Sequence, residues 1–326
     1  MIPTSLIKET PERQQLFRLF FPPDPTGTHE VRYGLTATDY NNGDLSAGLG
    51  TRPSVIATST EEQLFLQSVL TRLASIINIR PIQINSLTSP LQFVSVQTVR
   101  DDGGDPNVSG ITYSGFTWET FAGALTKVLP RPSSYITVEF ELNDDAGLSD
   151  SEKRTIVHET GHVFGLDHPG GDATDPAYDD ADTIMSYNQA GDKPATWFST
   201  DDITALKEVW GEAKAGSGDA SSPKLSYIDS ITGQVINGFQ SGRDKLLLSV
   251  SNLPGLKRLS LVTVTGSRKT FNRRGLQSSS PLVYWRNTGE VYLNANGKLK
   301  GLGIGGGMLA DIGDLTPLAP SDLILI

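Results

Sequence analysis

The sequence predicts two domains, an α+β domain with helices packed on a mixed sheet and a smaller all-β domain behind it. Three observations carry this expectation. The length of 326 residues exceeds one ordinary core. Up to residue 212, segments of strand-like and helix-like apolar spacing alternate in the order β-α-β-β-β-α-loop-α. Residues 213–222 (AKAGSGDASS) then read as a linker, beyond which short β-branched runs are separated by Gly, Asn and Ser. The expected boundaries are 1–28 for a leader or pro-like segment, 29–212 for the first domain, 213–223 for the linker and 224–326 for the all-β domain.

Taken in order, residues 1–28, with Pro22, Pro23 and Pro25, read as an extended leader. A first strand is expected at 31–38. Residues 61–78 form the clearest early helix, with Leu64, Leu66, Val69, Leu70, Leu73, Ile76 and Ile77 at helical spacing behind Thr60 and two glutamates. Strands follow at 91–99, 110–116 and 135–142. The last alternates Ile136, Val138 and Phe140 with Thr137, Glu139 and Glu141. A second helix opens at Ser149 or Asp150, either of which can cap it, and stops at Gly165. A third begins near Ser199, with Asp201 and Asp202 at its positive end, and closes at Gly211.

Bulk composition removes several function classes. A net charge of −10 argues against binding nucleic acid through its phosphates. No run of about 18 apolar residues suits a membrane span. With no cysteine, disulfides and thiolate ligands are excluded, so a metal would need imidazole and oxygen donors. The apolar stretch at 16–21 is interrupted by Arg18 and is too short for a cleaved secretory signal.

The informative segment is HETGHVFGLDH, residues 158–168. His158 and His162, four apart on a helix, project from one face and can share an ion. Gly165 ends the helix, and the turn it permits brings His168 round as a third ligand. Three neutral imidazoles leave an open position on Zn²⁺, as in a catalytic site. Glu159 can reach a water activated by that zinc and act as general base. Three of the four histidines of the chain fall within these eleven residues; His29 stands apart and reads as a surface residue.

This pattern resembles the metzincin clan of zinc endopeptidases, and Ile184-Met185-Ser186-Tyr187, seventeen residues after His168, resembles its Met-turn. The resemblance implies that Met185 floors the site without ligating the metal and that Tyr187 serves the oxyanion. Asp-His-Pro-Gly at 167–170 and Phe198-Ser-Thr-Asp-Asp look like the serralysin branch. It further implies that the strand holding Tyr135, Ile136, Thr137, Val138, Glu139 and Phe140 is an edge strand to which an extended peptide adds. The expected activity is zinc-dependent endoproteolysis of protein or peptide substrates by a monomer. Two other readings stand beside it: a secreted or surface-associated binding protein that keeps an unused zinc scaffold, and self-directed proteolysis with residues 1–28 as a pro-segment.

In the C-terminal part, residues 235–249, the run Tyr292-Leu-Asn-Ala-Asn-Gly297 and the close at 318–326 resemble the ends of type I-secreted repeat-in-toxin proteins. Asp322 before Leu-Ile-Leu-Ile has the form of their uncleaved export signal, which implies an ABC-type exporter and an extracellular protein. The glycine- and aspartate-rich calcium repeats are absent, so calcium dependence does not carry over. Asp172, Asp175, Asp179, Asp180 and Asp182 read as a solvated loop rather than a Ca²⁺ site. Gly301, Gly303 and Gly306 match a dinucleotide fingerprint by letter, but without its strand and helix they read as a turn. The basic pairs Lys257-Arg258, Arg268-Lys269 and Arg273-Arg274 read as a solvated face.

Overall fold

The computed structural model describes residues 2–36, 58–84, 89–96, 109–121, 124–128, 134–141, 148–214, 224–228, 231, 233–236, 238–250, 252–253 and 256–325. Most of the expected linker, and the far ends of the strands expected at 31–38, 91–99 and 135–142, lie outside these residues. The chain divides into two compact units, Met1–Asp219 and Ala220–Ile326. Helices and several sheets give a mixed α+β protein with a β-rich C-terminal unit.

The N-terminal unit opens with a 3-10 turn, Thr4–Leu6, and helix α1 (Pro11–Phe20). Strand β1 (His29–Thr36), helix α2 (Thr60–Ala74) and strands β2 (Ile79–Gln83), β3 (Leu91–Val96) and β4 (Gly110–Gly115) follow. A hairpin of β5 (Trp118–Phe121) and β6 (Ala124–Val128) leads to β7 (Tyr135–Glu141), α3 (Asp150–Val163) and α4 (Thr200–Trp210). The main sheet runs β2-β1-β3-β7-β4. Its strands are parallel except β4, which is antiparallel to β7. Helix α3 packs on β4 and β7. Among the described residues, no helix is long and apolar enough to cross a membrane.

Four sequence expectations change. Residues 1–28 are not an extended leader. Thr10 caps α1 with Pro11 at its first turn, and Ile2, Ile7, Phe17, Phe20 and Phe21 are buried. Apolar residues spaced at 16, 17, 20 and 21 are a helical stripe, which the flanking prolines disguised. Strand β7 is not at an edge, because β3 and β4 pair with both its sides. Its alternation suggested one wet face, yet Thr137 and Glu139 are buried as fully as Ile136 and Val138. The edge is β4. Strand β2 was unexpected because Pro81 interrupts it; on an edge strand the missing N–H costs no ladder bond. His29 is half-buried, its Nδ1 2.6 Å from Phe21 O and its ring against Trp210.

In the C-terminal unit, β8 (Leu225–Ile228), β9 (Gln234–Val235), β10 (Lys245–Leu248) and β11 (Leu261–Val264) precede a short helix α5 (Arg268–Thr270), which continues as a π-type turn, Phe271–Gly275. Strands β12 (Leu282–Trp285), β13 (Glu290–Leu293), β14 (Gly307–Asp311) and β15 (Leu323–Leu325) complete it. One sheet runs β15-β10-β8 and the other β11-β12-β13-β14-β9. Leu246, Leu248 and Leu323 of the first meet Leu282, Tyr284, Val291 and Leu293 of the second in one apolar core. The terminal strand is pinned by Asp322, whose buried carboxylate accepts from Ser241 Oγ (2.5 Å), Gly242 N (2.8 Å) and Ala319 N (2.9 Å). Asp322→Ala strands these donors and is expected to destabilise this unit by about 3 kcal/mol, read as a lowered urea midpoint.

Candidate metal centre

Helix α3 begins with a reciprocal cap: Glu152 N donates to Ser149 Oγ (3.2 Å) and Ser149 N to Glu152 Oε2 (2.8 Å). Its buried side carries Ile156, Val157, His158, Glu159 and Val163. The helix ends in a Schellman arrangement around Gly165 (φ +84°), with Leu166 N donating to Gly161 O (3.0 Å) and Gly165 N to His162 O (3.1 Å). A side chain would resist that left-handed conformation. The N-terminal segment then clamps the turn. Lys8 and Leu166 form an antiparallel bridge, Glu9 N donates to Gly165 O (3.0 Å) and Asp167 N to Ile7 O (2.9 Å).

Beyond this turn His168 reaches the two helical histidines. One ring nitrogen from each of His158, His162 and His168 lies within 4.8 Å of the others. The Nε2 atoms of His158 and His168 are 3.4 Å apart. His158 Nδ1 faces Ile184 O (2.8 Å) and His162 Nδ1 faces Leu166 O (3.0 Å). A carbonyl can only accept, so both Nδ1 atoms carry the proton and both Nε2 lone pairs are free for an ion. Burial holds all three imidazoles below their usual pKa, His158 well below it; His162, also facing His168, is lowered to about 4. Three neutral imidazoles are a donor set that fits a divalent metal.

Glu159 is buried beside them, and desolvation pushes its carboxyl up to about 7. Thr112 of β4 opposes that shift by donating from Oγ1 to Glu159 Oε2 (2.7 Å). Gly110 on the same strand leaves the room, since a Cβ there would lie 2.8 Å from Glu159 Cγ. The segment Ile184-Met185-Ser186-Tyr187 passes close by. Met185 is buried, and a Cβ on Gly161 would stand 2.6 Å from its Sδ. Tyr187 is 43% exposed, its ring 5.4 Å from that of His158 and 5.3 Å from that of His168.

The carbonyl of Ile184 is itself positioned by α4. Asp202, in a reciprocal cap with Ser199, accepts from Ile184 N (2.9 Å) and Thr183 Oγ1 (2.5 Å). Of the five carboxylates in the acidic loop, Asp180 alone departs from the expected solvated form: it is buried and accepts from Ala190 N (2.8 Å) and Ala195 N (2.9 Å), while Asp172, Asp175, Asp179 and Asp182 are exposed or half-exposed. Arg154 lies beside it and donates to Ser186 O.

The structure therefore brings His158, His162, His168, Glu159, Gly165, Met185 and Tyr187 together. Of residues 135–140, none belongs to a free edge. Thr112, Gly110 and Gly161 have no signature in the sequence that marks them, and Asp202 reads there only as a carboxylate at the positive end of a helix.

No family model matches the chain, and no curated protein matches it. Among solved structures, the GM1-bound form of the ECX AB5 holotoxin aligns at 14% identity over 62% of this chain and 91% of that chain, with a TM-score of 0.28. A likeness that weak carries no argument.

The depressed imidazole pKa values set a pH range. Protons compete with the metal as the pH nears each folded pKa, so with all three imidazoles lowered an ion should stay bound to lower pH than at ordinary histidines, whose value is ~6.5. Binding should then fall as the pH approaches the His162 value of about 4. Calorimetric titration with Zn²⁺ across this range checks it.

Proposed function

We propose that the chain is a zinc-dependent endopeptidase of serralysin-like, metzincin type. The observation that carries the reading is the convergence of three neutral imidazoles next to a buried carboxylate. Four ligands at 2.0–2.1 Å from zinc stand ~3.3 Å apart in a tetrahedron, close to the 3.4 Å between His158 and His168 Nε2. His158, His162 and His168 would hold the ion, which supplies Lewis-acid polarisation of a peptide carbonyl and of a water.

The remaining chemistry belongs to the chain. Glu159, with a pKa of about 7, can accept a proton from the attacking water and pass it to the leaving amine near neutrality. Tyr187, above His158 and His168, is assigned to the oxyanion. An extended peptide would add to β4, the last strand of the sheet, whose Thr112 and Gly110 border Glu159. Export by a type I route and an extracellular site of action go with this reading through the C-terminal resemblance.

Casein hydrolysis by zinc-loaded protein is the test. Glu159→Gln should lower kcat by 10²–10⁴-fold while zinc stays bound, and 1,10-phenanthroline should abolish activity. Wild-type protein that binds zinc yet cuts neither casein nor a peptide library would sink the proposal and leave a binding protein. Thr112→Val should reduce kcat/KM about tenfold. Because the lost hydrogen bond lowered the Glu159 pKa, the acidic limb of the rate profile should also move to higher pH.

A further inference from the structure

Charge is divided unevenly along the chain. Residues 1–219 hold 15 Lys and Arg against 31 Asp and Glu, a net −16. Residues 220–326 hold 12 against 6, a net +6. The excess has a place in the fold. On one face of the β11-β12-β13-β14-β9 sheet, Val264, Phe271, Val283, Trp285 and Tyr292 form a second apolar cluster, apart from the core between the sheets. Two segments cover it. The helical turn after β11 does so through Phe271, stacked on Trp285 with centroids 4.8 Å apart. The loop between β13 and β14 does so through Leu302.

Both segments display cations. Lys269, Arg273 and Arg274 are exposed on the turn, and Lys298 and Lys300 on the loop. None of these five takes part in an ion pair among the described residues. Arg268 lies over the Phe271 and Trp285 rings. Two carboxylates share this face: Glu290 is engaged by the hydroxyls of Thr288 and Tyr292, and Asp311, its partner across β13 and β14, accepts from Gly313 N (2.9 Å).

The loop also exposes what a soluble surface normally covers. Leu299 is 69% exposed and Ile304 fully so. Neither is at the end of a loose excursion: Ala295 N donates to Leu302 O (2.8 Å), and Leu302 is anchored on the cluster. Gly301, Gly303 and Gly305 all have φ between +80° and +88°, which turns the chain so that Leu302 faces in while Leu299 and Ile304 face out.

We propose that this face docks on anionic phospholipid bilayers, with Leu299 and Ile304 entering the headgroup boundary and Lys269, Arg273, Arg274, Lys298 and Lys300 contacting lipid phosphates and carboxylates. A nucleic acid or acidic glycan would satisfy the cations and leave both apolar side chains wet. A bilayer takes both. The function is independent of the metal site.

Sedimentation of the full chain with vesicles tests it. Protein should pellet with phosphatidylcholine–phosphatidylserine vesicles and stay in solution with phosphatidylcholine alone. Arg273→Ser/Arg274→Ser should weaken binding by an order of magnitude or more, at about fivefold per surface cation. Leu299→Ser/Ile304→Ser should weaken it at least tenfold; both pairs are exposed, so the fold is retained. The chain has no cysteine, so Ile304→Cys takes a single environment-sensitive dye, whose emission should shift to the blue on phosphatidylserine vesicles. Wild type left in the supernatant, variants binding like wild type, or a bound protein with an unshifted dye would each overturn the proposal, as would retention on heparin without vesicle binding.

Discussion

Two backbone carbonyls govern the candidate metal centre. Ile184 O and Leu166 O receive the Nδ1–H groups of His158 and His162, and this alone decides that the Nε2 lone pairs converge. An imidazole free to take the other tautomer, or to swing by one rotamer, would offer an ion nothing. The rest of the N-terminal unit can be read as support for those two oxygens. Leu166 O is held by the Schellman end of α3 and by the strap at Ile7–Glu9. Ile184 O is held by Asp202, and so by the first turn of α4. Neither the strap nor Asp202 hydrogen-bonds an imidazole, yet both set where the imidazoles point.

The same economy explains the glycines at the site. Gly165 is required by its backbone angle, whereas Gly110 and Gly161 are required by space. At Gly161 the helix passes so near Met185 that one methyl group would displace the sulfur. The close fit of that contact sets the depth of the helix over the loop that carries Ile184 O. Glu159 meets a comparable constraint from β4, where Gly110 gives room and Thr112 gives a hydrogen bond.

What could be read from the sequence follows from how local each feature is. The helix caps, the histidine spacing and the turn at Gly165 are written within eleven to twenty residues, and the structure places them as the local rules require. Features that depend on distant pairing were hidden. The alternation of residues 135–141 states only that two faces differ, and cannot say that both are covered or that β4 lies outside. Thr112 is one threonine among many until β4 is laid beside α3. The helix at 11–20 was masked by proline-rich flanks, and Asp180 by acidic neighbours that remain at the surface.

The strap at the N-terminus has a consequence in time. Ile7 and Asp167, hydrogen-bonded in the folded protein, are 160 positions apart. At 5–20 residues per second the ribosome needs ~8–30 s between them, during which Phe17, Phe20 and Phe21 have no partner among the residues after 148. Closure of so long a loop is also entropically slow relative to helix formation. The third histidine is therefore locked late, after the helix bearing the first two can already exist. A nascent chain interrupted before residue 168 would carry two of the three histidines, and so the order of synthesis keeps the cluster unassembled until every strand of the main sheet has been made.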